Sequence, residues 1–186
     1  DIDFPATIRS ATAQRNSSGQ QVTWNFNGPL FTVKTNGTGA RFLGIRARFD
    51  VAGAQASSAF ISLAAGQTAR HVWVRDCYVD ATNGNIARII DNSGTGESWH
   101  IVDCRFGDGL VGIFIALAAT DNVISNNVMS MFGGGVGTVG IDVDGGARAV
   151  VSGNNLSSYE IGIKISGVGG GTMVQGNPIR ATQLAA

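Results

Sequence analysis

Charge is scarce in this chain. Only 14% of its 186 residues are Asp, Glu, Lys or Arg, the 13 basic side chains cancel the 13 acidic ones, and no run of Lys or Arg occurs. The electrostatic footprint of a nucleic-acid binder or of a protein held on anionic membranes is therefore missing, and neither partner is expected. Cysteine is scarcer still. Two residues are too few for a disulfide scaffold, and without a CxxC pair or a His/Cys cluster no zinc site is offered, so neither metal nor cofactor is expected. The longest apolar stretches, such as residues 109–119, are short and interrupted by glycine, which excludes a membrane-spanning helix. The opening Asp1-Ile2-Asp3-Phe4 has no basic and apolar leader, so a signal peptide is expected to have been removed or never to have been there.

Glycine, by contrast, is plentiful: 27 residues against three prolines, set among 44% hydrophobic residues spread evenly along the chain. That combination points to a packed fold in which many turns separate many short strands, and the length fits one domain.

An internal repeat organises those strands. Val74-Arg75-Asp76-Cys77-Tyr78-Val79 and Ile101-Val102-Asp103-Cys104-Arg105-Phe106 share one frame: apolar, variable, Asp, Cys, variable, apolar. The same frame fits Ile124 to Met129, Val151 to Leu156 and Val174 to Ile179, where Asn127, Asn154 and Asn177 take the cysteine position. The fourth position of each copy falls at 77, 104, 127, 154 and 177, giving spacings of 27, 23, 27 and 23. A weaker copy lies at Ile45 to Phe49, with its register open by one residue, and Val22, Trp24 and Phe26 alternate as a strand should, followed by Phe31 and Val33. A second strand-like segment recurs at Ile86 to Ile90, Ile113 to Ile115, Ile141 to Val143 and Ile163 to Ile165. Helical periodicity is missing.

Short strands that resemble one another one whole repeat apart, instead of across hairpins, specify parallel stacking. The expected fold is all-β: a single-stranded right-handed parallel β-helix of about six to seven coils with a repeat of roughly 25 residues. Residues 1–21 are expected as an N-terminal cap or attachment segment, 22–180 as the β-helix and 181–186 as a C-terminal tail.

The column of Asn127, Asn154 and Asn177, with an apolar residue three before and two after each, resembles the pectate-lyase-like superfamily of right-handed β-helices over roughly residues 40–180. The resemblance implies asparagines stacked at a tight turn. Members include pectin-degrading enzymes, phage tailspikes and non-catalytic virion or surface proteins, so the resemblance implies a fold and leaves activity open. Independently of any family, neighbouring strands lie about 4.8 Å apart, so each amide can bond the next and satisfy buried turn groups. Cys77 and Cys104 share this column one coil earlier and are expected as buried free thiols, because side chains stacked in parallel point the same way and bridge poorly.

Three carboxylate arrangements carry potential chemistry. Asp142 and Asp144 alternate with inward Ile141 and Val143 and are expected to face solvent about 6.5 to 7 Å apart, near the separation used by inverting glycosidases. Lys164, at the matching outward position of the next coil, either pairs with Asp142 as a surface ion pair or completes a lyase-like set with Arg88. Asp76 and Asp103 stack just before the turn, where a capping role is expected. Asp80, Asp91 and Asp108 fall in turns of differing register. The Asp-Asp pair and Gly-His-Gly turn that mark pectin hydrolases are missing. Gly135, Gly137 and Gly140 spell GxGxxG, but Ile141 to Asp144 reads as a strand where a dinucleotide site needs a helix, so a glycine-rich solenoid loop is expected. Asn16, Asn36 and Asn155 match glycosylation acceptors, a frequency expected by chance in so Asn- and Ser-rich a chain.

Inward Val72 and Val74 turn Trp73 outward, with His100 as its counterpart one coil later, while Phe114 faces out beside Asp142 and Lys164. Trp73, His100, Phe114 and Arg88 are thus candidate glycan or subunit contacts. The expected function is a β-helical surface or structural module, most naturally a phage virion component such as a tailspike, fibre or head-decoration protein, on an extracellular or virion surface. Its expected partners are a glycan surface and further copies in a homotrimer or larger assembly. The alternative is a polysaccharide lyase or glycoside hydrolase using Asp142, Asp144 and Lys164, with Ca²⁺ only in the lyase case.

Overall fold

The structure, a computed structural model, describes residues 1–9, 22–24, 27–50, 55–81, 86–116, 118–131, 137–144, 148–166 and 171–180. Phe26, Asn16, Gly135 and the 181–186 tail lie outside the described residues.

Every strand pairing is parallel, and three sheets wrap one core as a β-solenoid. The first sheet holds β1 (Thr7–Arg9), β4 (Arg41–Leu43), β8 (Trp73–Arg75), β12 (His100–Val102), β15 (Asn122–Ser125), β18 (Ala149–Ser152) and β21 (Met173–Gln175). The second holds β2 (Val22–Trp24), β5 (Arg46–Phe49), β9 (Tyr78–Ala81), β13 (Arg105–Gly107), β16 (Val128–Ser130), β19 (Asn155–Ser157) and β22 (Ile179–Arg180). The third holds β3 (Pro29–Val33), β6 (Gln55–Leu63), β10 (Ile86–Asn92), β14 (Gly109–Ile115), β17 (Val139–Asp144) and β20 (Ile161–Ser166). A two-stranded strip, β7 (Thr68–Arg70) with β11 (Thr95–Glu97), covers one corner.

The stack makes about five turns with a repeat near 27 residues, fewer and longer than the six to seven coils of about 25 expected. The source of the longer repeat is visible in the register. Thr7 stacks on Arg41 and Arg41 on Trp73, steps of 34 and 32 residues, whereas the copies that reveal the repeat lie in the tighter C-terminal half. The last level also has no described strand in the third sheet. Because β1 belongs to the first sheet, the solenoid begins ahead of Val22, inside the segment expected as a cap.

The corner between first and second sheets explains the repeat chemically. Gly44, Asp76, Asp103, Asn126, Gly153 and Gly176 occupy one column there, and all have φ between 54° and 66°. That left-handed conformation is open to Gly and tolerated by Asp and Asn, whose short polar side chains bond locally. Asp76 and Asp103 are therefore turn residues chosen for backbone conformation, a more specific role than the capping one expected. The next residue in each level is the ladder position, which places Ile45 above Cys77 and fixes the register of the weak copy, since Arg46 pairs with Tyr78.

In the ladder, Asn154 donates through Nδ2 to Asn177 Oδ1 at 2.9 Å, and Asn127 donates to Asn154 Oδ1 at 2.9 Å. The other Nδ2 proton of each goes to a carbonyl of the coil before, Ile101 for Asn127 and Ile124 for Asn154, both at 2.9 Å. The backbone N–H of Cys104 closes the run on Asn127 Oδ1 at 2.9 Å. Cys77 and Cys104 continue the column as buried free thiols that donate to Phe42 O and Val74 O at 3.5 Å. Burial pushes the Cys104 thiol well above its ordinary range, which leaves it a poor nucleophile.

Inside, the first sheet contributes Phe42, Val74, Ile101, Ile124 and Val151, and the second Ala47, Val79, Phe106, Met129 and Leu156, all buried. The third sheet answers them by volume. Phe60 and Ile89 lie in the levels where the second sheet offers only Ala47 and Val79, whereas Gly112, Gly140 and Gly162 stand against Met129, Leu156 and Ile179 of the following coil. Gly140, expected in a loop, is a core position of β17.

Candidate functional site

Parallel in-register stacking turns each outward position into a column running along the solenoid. In the first sheet, Arg41, Trp73, His100, Val123, Val150 and Met173 form one such column. Alternation fixes the direction: Val72 and Val74 are buried, so Trp73 faces out. Trp73 and His100 meet as a coplanar stack, 4.1 Å between ring centroids and 6° between planes. Beside them run ion pairs between Arg75 and Asp103 (3.4 Å) and between Arg148 and Asp121 (2.8 Å). Asp121 and Arg148 also line a shallow cavity of about 280 Å³ against Val123 and Val150.

Partial burial, and secondarily the charge of His71, hold the His100 imidazole below its ordinary value of 6.5. A histidine whose folded value is depressed is charged more readily in the unfolded chain, so its contribution to stability is complete above about 6.5 and is lost as pH falls toward the folded value. NMR titration of the ring protons should give His100 a midpoint below that of an unstructured histidine. Trp73→Ala, which uncovers the ring, should move that midpoint up.

No family model, curated protein or solved structure matches this chain.

The third sheet carries the charged column. Thr32, Ser62, Asp91, Phe114, Asp142 and Lys164 stack in that order. Asp142 was expected in solvent, but it is only 8% exposed. Phe114 on one side and Lys164 on the other enclose it, because an in-register neighbour stands about 4.8 Å away in both directions. Its Oδ2 pairs with Lys164 Nζ at 3.2 Å, while Oδ1 is buried with no hydrogen-bond partner among the described residues. Asp144 is half-buried, and its Oδ1 accepts from the Ser166 hydroxyl at 3.2 Å. Both carboxylates are thus held by the coil that follows.

Arg88 does not join Asp142 and Lys164. It sits in the column of Val111 and Val139, two levels before Asp142, and bonds Asp91 at 2.7 Å and the Ser93 hydroxyl at 2.8 Å. Its guanidinium lies 3.8 Å from the Phe114 ring centre, a cation–π contact. The link between Arg88 and Phe114 was missed from sequence, although the spacing of Arg88 to Asp91 is short enough for a local pair. Also missed was the second-sheet column Arg46, Tyr78, Arg105 and Val128, where Tyr78 and Val128 are exposed and stacked with two cations. Alternation from the buried Val79 and Phe106 could have located it. Among the described residues no group of His, Cys, Asp or Glu could hold a metal ion.

Proposed function

We propose that the chain is a β-helical surface or structural module that lies along a glycan with its first sheet, as a virion protein of the tailspike, fibre or decoration kind would, within the pectate-lyase-like superfamily that its asparagine column resembles. The observation that carries this reading is the coplanar Trp73–His100 stack on a flat outward column continued by Val123, Val150 and Met173. The two rings cover each other's inner faces, so the pair offers its edges and outer faces together with the apolar side chains that continue the column; such a row can pack against the apolar faces of sugar rings, and a regular parallel sheet presents contacts at a fixed pitch to a repeating polymer. Assembly into a homotrimer or a larger virion structure accords with the same faces.

Retention on a panel of immobilised bacterial and plant polysaccharides tests it. The chain should bind at least one polymer without shortening it, and Trp73→Ala should weaken that binding by about tenfold, the loss expected of one central aromatic contact. Asp142→Asn should leave binding unchanged. Failure to bind any polymer would leave a purely architectural role.

A second reading, a polysaccharide lyase or hydrolase, draws on the enclosed and unpartnered Asp142 Oδ1 beside the Phe114 ring. Polymer cleavage that disappears in Asp142→Asn would establish it in place of the first.

A further inference from the structure

The chain's 13 carboxylate side chains all lie among the described residues. Six of them hold six cations, none of which stands on the second sheet. There Arg46 and Arg105 face outward, since Ala47 and Phe106 beside them are buried, and no carboxylate engages either guanidinium. Tyr78 lies between them in the same column, 36% exposed, and its hydroxyl has no partner among the described residues. Val128 follows at 42% exposed, while Val79 and Met129, the inward neighbours of these two, are at 1% and 0%. Read along the axis, the column is therefore cation, aromatic, cation, aliphatic, with one residue from each coil. In the neighbouring outward column Asp80 is the one carboxylate among the described residues, stacked on Arg48, and Asp76 is exposed at the adjoining corner.

We infer that this column binds an acidic polysaccharide that carries one carboxylate per disaccharide and lies along the solenoid axis. The pattern recurs every two coils, about 9.6 Å at a strand spacing of about 4.8 Å, close to the length of a disaccharide in an extended chain. Uronate units then meet Arg46 and Arg105, whose planar guanidinium groups take a carboxylate through two parallel hydrogen bonds. The neutral units between them pack on the Tyr78 ring and on Val128, as the apolar faces of sugars pack on such side chains. An extended acidic peptide falls out of step, because carboxylates on one of its faces recur about every 6.6 Å. A nucleic-acid strand carries a phosphate at every nucleotide, more charge than two free cations on a chain of zero net charge can answer. The inference does not rest on the Trp73 column, which belongs to a different sheet.

A hyaluronan octasaccharide, with one carboxylate per disaccharide, is the probe. Titrated by calorimetry into the full chain at low ionic strength, it should bind saturably and lose affinity as salt is raised. Arg46→Gln, Arg105→Gln and Tyr78→Ala should each weaken binding about tenfold. Arg105→Lys, which keeps the charge and loses the fork, should fall between Arg105→Gln and the parent. Trp73→Ala should leave this binding unchanged, which separates it from any glycan held by the first sheet. The substituted side chains all face outward, and circular dichroism checks that each variant stays folded. Absence of binding, or binding indifferent to both Arg46→Gln and Arg105→Gln, would overturn the inference. So would equal affinity for neutral dextran, for keratan sulfate, which has sulfate and no uronate, or for an oligothymidylate, because the occupant would then be of another class.

Discussion

Gly140→Ala should destabilise the fold by about 3 kcal/mol or more, beyond the usual loss from an overpacked core site. A Cβ at Gly140 would run into Leu156 Cδ2 and stand 2.6 Å from Gly162 O. The side-chain clash can be relieved by a rotamer change, but the carbonyl belongs to the adjacent strand of the same sheet and is fixed by the register of β17 on β20. The double variant Gly140→Ala with Leu156→Ala should therefore recover only part of the loss, and it adds a cavity of its own. Urea titration followed by circular dichroism reads both. A Gly140→Ala midpoint within error of the parent would show that the third sheet can move away from the second, against the interlocked packing described here.

Asn154→Ala should cost about 2 to 5 kcal/mol. The side chain is fully buried and serves four partners: it accepts from the Asn127 backbone N–H (3.1 Å) and Nδ2 (2.9 Å), and donates to Ile124 O and Asn177 Oδ1 (2.9 Å each). Alanine leaves the Asn127 backbone N–H and one Nδ2 proton without an acceptor and takes a donor from Ile124 O, while Asn177 Oδ1 keeps only the Asn154 backbone N–H. Asn177→Ala, in the last described coil, should cost clearly less, because its neighbours there are more exposed. Equal losses at 154 and 177 would show that the ladder contributes through backbone conformation and not through its buried amides.

How much was legible in the sequence follows from which interactions recur. The asparagine column, the two thiols, the outward Trp73 with His100 and the Asp142–Lys164 pair each depend only on position within a repeat, and a periodic pattern displays position directly. The glycine column was not legible, because Gly112, Gly140 and Gly162 matter through the residues they face across the core, Met129, Leu156 and Ile179, which no local pattern connects to them. The enclosure of Asp142 escaped for a related reason. Alternation gives the direction of a side chain but not the size of its neighbours in the column, here an aromatic ring and a long cation. Trp99 shows the same limit. It is wholly buried, with its indole N–H on Ala69 O at 3.0 Å, a partner 30 residues away. The long steps near the N-terminus left the register of Ile45 to Phe49 open and hid β1, since spacings of 23 and 27 do not anticipate copies 32 and 34 residues apart.

The backbone hydrogen bonds between levels run along the long axis of the molecule, while the strands run across it. Tension applied between the two ends therefore loads the rungs one after another, as in a zip fastener, instead of sharing the force among all of them as shear along the strands would. Each released coil would yield about 90 Å of extended chain in exchange for about 5 Å of stack. A tether made this way would yield in steps of one repeat, extending under load long before it parted.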